Sequence, residues 1–184
     1  MNIERRKHPI KSIVFLFFLL FFIWVLLQFL APLALPSSSV TDLSGVVGIT
    51  DNEDQLREMP LPWNAVYSIG DHLCHQKVER SLFINGNEMP FCARCTAIWI
   101  GLVIGLGFIV VYRLELHQNF IVAIILALVP IGIDGLGQLL GLWESINITR
   151  ILTGLPAGII CGVALGMIID EVRSFPFFQC HDFI

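Results

Sequence analysis

The chain has 184 residues, of which 55% are hydrophobic and 14% charged, with a formal net charge of −4. Soluble domains carry about 25% charged residues, so this composition excludes an ordinary soluble protein and assigns the chain to a lipid bilayer. The acidic balance and the lack of a basic run exclude a nucleic-acid partner.

Four apolar runs, residues 13–35, 96–111, 120–140 and 150–169, come close to the roughly 20 residues a helix needs to cross the hydrocarbon core. The expected fold is an all-α membrane protein of about four transmembrane helices. It comprises an N-terminal anchor helix and a tight, glycine-rich three-helix bundle with an interfacial cysteine/histidine segment. The expected divisions are residues 1–35 (cytoplasmic N-terminus and signal anchor), 36–62 (polar acidic linker), 63–170 (membrane domain) and 171–184 (cytoplasmic tail).

The first run follows Arg5, Arg6, Lys7 and Lys11. Its apolar part exceeds the roughly 7–15 residues of a signal peptide, which favours an uncleaved signal anchor in the cell membrane with a cytoplasmic N-terminus. Arg113 and Arg173 then also fall inside, whereas Arg57, Lys77, Arg80, Arg94 and Arg150 fall outside, so the orientation rests on the first helix. That helix is rich in Phe and Leu, has no glycine, and reads as a separable, lipid-facing appendage.

A polar connector begins at Pro36-Ser-Ser-Ser39, includes the acidic stretch Asp51-Asn-Glu-Asp54 and ends at Pro60-Leu-Pro62. Residues 63–82 are too polar to span, but Trp63, Val66, Tyr67, Ile69 and Leu73 are spaced for an amphipathic interfacial helix. Asn85-Gly86-Asn87 signals a turn. It allows Cys74 and its flanking histidines to fold back on Cys92 and Cys95 at the mouth of the second membrane helix.

These cysteines and histidines are the first candidate site. Cys92-x-x-Cys95 at a helix N-terminus presents two sulfurs to one ion, and Cys74 with His75 completes a Cys₃His set suited to zinc, with His72 as the alternative fourth ligand. The same residues also suit a redox dithiol whose thiolates are favoured by the helix N-terminus and Arg94, with Cys74 as exchange partner. A structural disulfide is the plainest alternative. Cys161 reads as a small packing residue, and Cys180-His181 lies in the tail on the opposite side.

In the third run, Asp134 is a carboxylate that costs about 2.5–3.5 kcal/mol to insert and persists mainly beside a partner or a wet cavity. Gln138 lies one turn further on the same face. Glu144, Ser145, Asn147, Arg150 and Thr153 follow, with Ser145 or Asn147 placed to cap the last helix and Arg150 placed to pair with Asp134 or Glu144. Asn147-Ile-Thr149 matches a glycosylation sequon, relevant only in a glycosylating secretory pathway. Gly101 and Gly105, and Gly154, Gly158, Gly162 and Gly166, form small-residue faces for close helix packing or for a homo-oligomer.

Three alternating spans bring the start of the second helix, the end of the third and the start of the fourth to one membrane face, whichever way the protein is inserted. The cysteines, Asp134 and Arg150 therefore converge. The ordered pattern Cys74-His-Gln76, Arg80-Ser81, Gly86, Pro90, Cys92-Ala-Arg-Cys95-Thr96 and Gly101 resembles the prokaryotic integral-membrane domain-of-unknown-function family 2085. The resemblance continues through Asp134-Gly135, Gln138, Glu144-Ser145, Asn147, Arg150 and Thr153-Gly154, covering about residues 70–166. Ala97 stands where the family usually has glycine. The resemblance implies these site residues without implying a reaction.

The leading expectation is a zinc or other transition-metal site beside a polar cavity, structural or belonging to a metal-dependent enzyme acting on a membrane-associated substrate. In the catalytic version Asp134 or Glu144 is the general base and Arg150 holds an anionic group. The alternatives are a thiol–disulfide oxidoreductase resembling the quinone-linked four-helix kind, and a small oligomeric channel or transporter with Asp134 in its path.

Overall fold

The computed structural model describes residues 3–5, 13–114 and 118–174. Cys180 and His181, and with them the expected cytoplasmic tail beyond residue 174, lie outside the described residues. Among the described residues four helices are long and apolar enough to cross a membrane: α1 (Ile13–Ala34), α4 (Ala93–Val111), α5 (Gln118–Leu139) and α6 (Asn147–Ser174). Between α1 and α4 lie two short helices, α2 (Glu53–Arg57) and α3 (Trp63–Leu73), and a hairpin of β2 (Ser81–Ile84) and β3 (Asn87–Cys92). A second antiparallel pair joins β1 (Ile3–Arg5) to β4 (Tyr112–Leu114). It holds the start of the chain beside the α4–α5 turn, at the opposite end of the bundle from the hairpin.

α4 and α6 form the tightest pair, because glycine removes the side chains that would keep their backbones apart. A Cβ at Gly101 or Gly105 would run into the α6 backbone around Leu155–Ile159 and Ile159–Val163. One at Gly158 or Gly162 would strike the carbonyl of Ile98 or Leu102. The glycine faces expected to serve a bundle or a second copy are therefore filled within one chain. α5 is only lightly covered: Ile121, Leu126, Leu136 and Leu139 are each more than 60% exposed, as suits a lipid-facing helix.

The first helix is not a separable appendage. Trp99 of α4 stacks on Phe21 of α1 with ring centroids 5.8 Å apart and meets Trp24 edge-on at 6.1 Å. Phe91 of β3 closes the cluster against both tryptophans. Such pairs add about 0.5–1.5 kcal/mol each to the apolar area they bury. Hydropathy marks this helix as a span but carries no information about the aromatic face it presents to α4.

The acidic connector is also folded. Val40, Leu43 and Leu56 are buried with Val66 and Tyr67 of α3 and with Ala31 and Leu35 at the end of α1. Asn87 fastens this lobe. Its Oδ1 accepts the N–H groups of Ser39 (2.8 Å) and Val40 (3.0 Å), while its Nδ2 donates to the carbonyls of Pro32 and Pro36, both at 2.9 Å. A single buried amide thus satisfies the backbone where α1 ends and the lobe begins, as burial requires.

Candidate metal centre

Cys92 is the last residue of β3 and the N-cap of α4, and Cys95 lies in the first turn of α4. Cys74 caps the C-terminus of α3 in an extended conformation, its N–H donating to Gly70 O at 2.8 Å. The two segments meet because α3 lies almost on β3 at Gly70, where any Cβ would collide with the Pro90 carbonyl. Gln76, in the left-handed region at φ 41°, directs its Nε2 onto the same carbonyl at 2.8 Å. The Cys92 N–H then donates to Cys74 Sγ at 3.4 Å.

The Sγ atoms of Cys74, Cys92 and Cys95 all lie within 4.8 Å of one another, and all three are free thiols. Sulfurs of a tetrahedral site with about 2.3 Å metal–sulfur bonds stand roughly 3.8 Å apart, so small side-chain adjustments would seat an ion. The electrostatics favour thiolate at Cys92. Hydrogen bonds from the Cys74 and Cys95 thiols, then from the N–H groups of Cys95 and Arg94 at the helix start, hold it well below the ordinary thiol range. The Cys74 thiol is pushed up in return, chiefly by its hydrogen bond to Cys92.

The expected histidines lie outside this sulfur triad. His72 and His75 are both exposed, and their carbonyls accept the N–H groups of Gly48 (2.9 Å) and Gly45 (3.0 Å) from the folded connector. His75 sits on the wall of a cavity of about 170 Å³ that also exposes the three cysteines. Gln138 and Arg150 line the same cavity, so the ends of α3, β3, α4, α5 and α6 meet there as the alternation of spans requires.

Asp134 is buried, and its partner is Arg94, not Arg150. Gln138 Nε2 donates to Asp134 Oδ2 at 3.1 Å and Trp143 Nε1 to Oδ1 at 3.4 Å. Arg150, 4% exposed, donates instead to Asn147 Oδ1 (2.9 Å), Glu79 O (3.2 Å) and Gln138 Oε1 (3.4 Å). Geometry decides the exchange of partners: α4 places Arg94 against α5, while Arg150 faces the turn before β2. Glu144 is exposed and absent from the cavity wall. Asn147, expected as a cap, reaches out of its helix and donates to Ser81 O at 3.1 Å.

Arg94 was legible as a charge near the thiols but not as the counterion of Asp134. A cation in the first turn of a helix opposes the helix dipole, and that mismatch is the signal that it answers a carboxylate elsewhere. Lys77, Arg80 and Trp143 carry no comparable local mark, and their place in or beside the site comes from tertiary packing alone.

Four spanning helices with a thiol cluster where three of them meet a folded lobe define a small polytopic membrane protein with an interfacial cysteine site. The chain belongs to the predicted membrane protein family DUF2085, whose model matches residues 74–164. It is 41% identical over 98 residues to an uncharacterized protein of Methanocaldococcus jannaschii, the match covering 51% of this chain and 60% of that protein. It is 36% identical over 88 residues to an uncharacterized protein of Methanothermobacter thermautotrophicus, covering 48% of this chain and 79% of that relative. The match thus takes in less than two thirds of the first relative's length. No solved structure matches the chain.

Proposed function

We propose that this protein holds a transition-metal ion, zinc foremost, on Cys74, Cys92 and Cys95, with His75 as the fourth ligand and His72 as its alternative. The convergence of three thiols at one helix start carries the reading. Three sulfurs and an imidazole suit zinc by ligand softness and tetrahedral preference. On the positive-inside bias of the first helix, the N-terminus is cytoplasmic and the site lies on the outer face of the cell membrane.

The finer reading is a metal-dependent enzyme acting on a membrane-associated substrate. If Cys74, Cys92 and Cys95 alone hold the ion and neither histidine ligates it, the ion would supply Lewis-acid polarisation of a bound group or water. Arg150 holds an anionic portion of the substrate, and Gln138 orients it from the same wall. Asp134, engaged by Arg94, Gln138 and Trp143, positions Arg94, and exposed Glu144 serves as base only if the α5–α6 turn folds inward.

Metal analysis of the purified full-length chain tests the proposal. One equivalent of metal is expected in the wild type and a large loss in Cys74→Ser, Cys92→Ser and Cys95→Ser. A metal-free wild type that behaves like these variants would sink it. His75→Ala combined with His72→Ala separates the coordination states: metal retained in the double variant implies three protein ligands and an open position, and lost metal implies closed, structural coordination.

One observation favours a second reading. The lowered Cys92 thiol, with two free thiols beside it, suits thiol–disulfide exchange. That reading expects a reducible disulfide and a trapped mixed disulfide in a single-cysteine variant. A channel or transporter draws least support, because the carboxylate expected in its path faces Arg94.

A further inference from the structure

We infer that the cavity beside the thiols is a binding site for a single phosphate group, held by Arg150, Lys77 and Arg80. The inference rests on the cavity assigned above to the metal centre, but on its cationic wall and not on its sulfurs.

Lys77, Arg80, Arg94 and Arg150 all reach this cavity, and no carboxylate lines it. Arg94 is neutralised by Asp134, and among the described residues Arg80 pairs only with Glu79, at 3.5 Å, with both of those side chains more than a third exposed. Among the described residues, neither Lys77 nor Arg150 forms an ion pair. Arg150 is the telling case: a guanidinium 4% exposed whose three hydrogen-bond partners are all neutral oxygens.

Burying a cation without a counterion is costly, and a residue kept in that state is poised for an anion from outside. A divalent metal on three thiolates would bring one negative charge, which leaves the wall with about one positive charge in excess. That balance suits one phosphoryl group. Arginine forks match its oxygens in pairs, and a lysine adds a point charge.

Size and position narrow the ligand. A cavity of about 170 Å³ lies below the roughly 300–1,000 Å³ of pockets that enclose whole small molecules, so it fits a phosphate better than a nucleotide. It opens where three of the apolar helices end, and the ends of spans are where lipid headgroups lie. The adjacent α5–α6 turn presents Leu139, Leu140, Leu142 and Ile146, each more than 60% exposed, with Trp143 among them. An apolar lip with an interfacial tryptophan beside a cationic cavity lets a phosphate enter while the chains attached to it stay in the bilayer. A lipid headgroup and a free phosphate share this recognition chemistry.

The test uses the purified full-length protein in detergent at constant ionic strength, with metal content measured on the same samples. Thermal stabilisation is followed on adding inorganic phosphate, and separately on doping the micelles with short-chain phosphatidic acid or with phosphatidylcholine of equal chain length. Saturable stabilisation by a phosphate-bearing probe is expected, weakened about tenfold or more in Lys77→Gln and in Arg80→Gln, with metal stoichiometry unchanged. Both side chains are partly exposed, so these variants fold where Arg150→Gln need not. Preference for phosphatidic acid identifies a headgroup, and preference for inorganic phosphate a soluble ligand; either supports the site. Stabilisation by neither inorganic phosphate nor phosphatidic acid beyond that given by phosphatidylcholine, or unweakened binding in both variants, overturns it. Phosphate binding in protein without metal supports this site while defeating the metal reading.

Discussion

Arg94 and Asp134 form an ion pair that ties the first turn of α4 to the last turns of α5, directly behind the cysteine site. Asp134 is 6% exposed at its side chain and Arg94 23%. Gln138 and Trp143 supply further donors to the carboxylate. α5 is otherwise lightly packed, so this polar contact sets its position relative to the site.

Removing one partner leaves the other charge buried and unpaired. Asp134→Asn and Arg94→Gln should each lower stability by roughly 2–3 kcal/mol, below the usual range for a broken buried pair because Arg94 keeps some solvent screening. A double-mutant cycle read by thermal melting in detergent should show clear coupling. Additive losses would mean that the two side chains act independently.

The α4–α6 contact predicts a contrast between glycines. Gly158→Leu and Gly162→Leu must push α6 away from the Ile98 and Leu102 carbonyls and should cost roughly 3 kcal/mol or more. Gly132→Ala meets open space and should be neutral or stabilising by about 0.5–1 kcal/mol. Melting temperatures and protease resistance of the three variants provide the comparison.

If the proposed metal is bound, its removal should loosen the junction between lobe and bundle, because Cys74 belongs to one and Cys95 to the other. Chelation is expected to lower the melting temperature of the wild type by about 5 °C or more, since structural thiolate metal sites contribute several kcal/mol. Cys92→Ser should start near the lowered value and respond little to chelator. Identical chelator responses in the two proteins would contradict this.

Burial pushes the Glu88 carboxyl up to about 7, against the pull of Ser81 and the Leu43 N–H, and the negative charges of Asp42 and Glu79 push it further. Its folded value lies above the ordinary 4.5, so the folded state holds the extra proton between those limits. The stabilisation is complete below about pH 4.5 and is lost as pH rises through 7, by roughly 3 kcal/mol at most. Melting temperature should therefore fall from pH 5 to pH 8 in the wild type and much less in Glu88→Gln. Parallel pH profiles would remove Glu88 as the cause.

Much of the architecture is legible in the sequence alone. The spans follow from local apolarity and length, and the meeting of Cys74 with Cys92 and Cys95 was foreshadowed by the Asn85-Gly86-Asn87 turn, which the hairpin of β2 and β3 realises. The shared membrane face of Cys95, Gln138 and Arg150 follows from the alternation of helix directions alone. The spacing of Gly154, Gly158, Gly162 and Gly166 marked a close contact without naming the partner helix.

Other features required the folded chain. Residues 36–62 look like a linker because their polar groups outnumber their apolar ones, yet Val40, Leu43 and Leu56 find a core on α1 and α3. α1 looks like a free anchor until Trp99 and Phe91 meet it. Asp134 and Arg94 are 40 residues apart, and nothing local selects Arg94 over Arg150 as the counterion. Hydropathy and helix direction are properties of short segments and so are written in the sequence. The pairing of charges and aromatic faces depends on which backbones approach most closely, and here the glycine contact between α4 and α6 and the docking of α1 decide that.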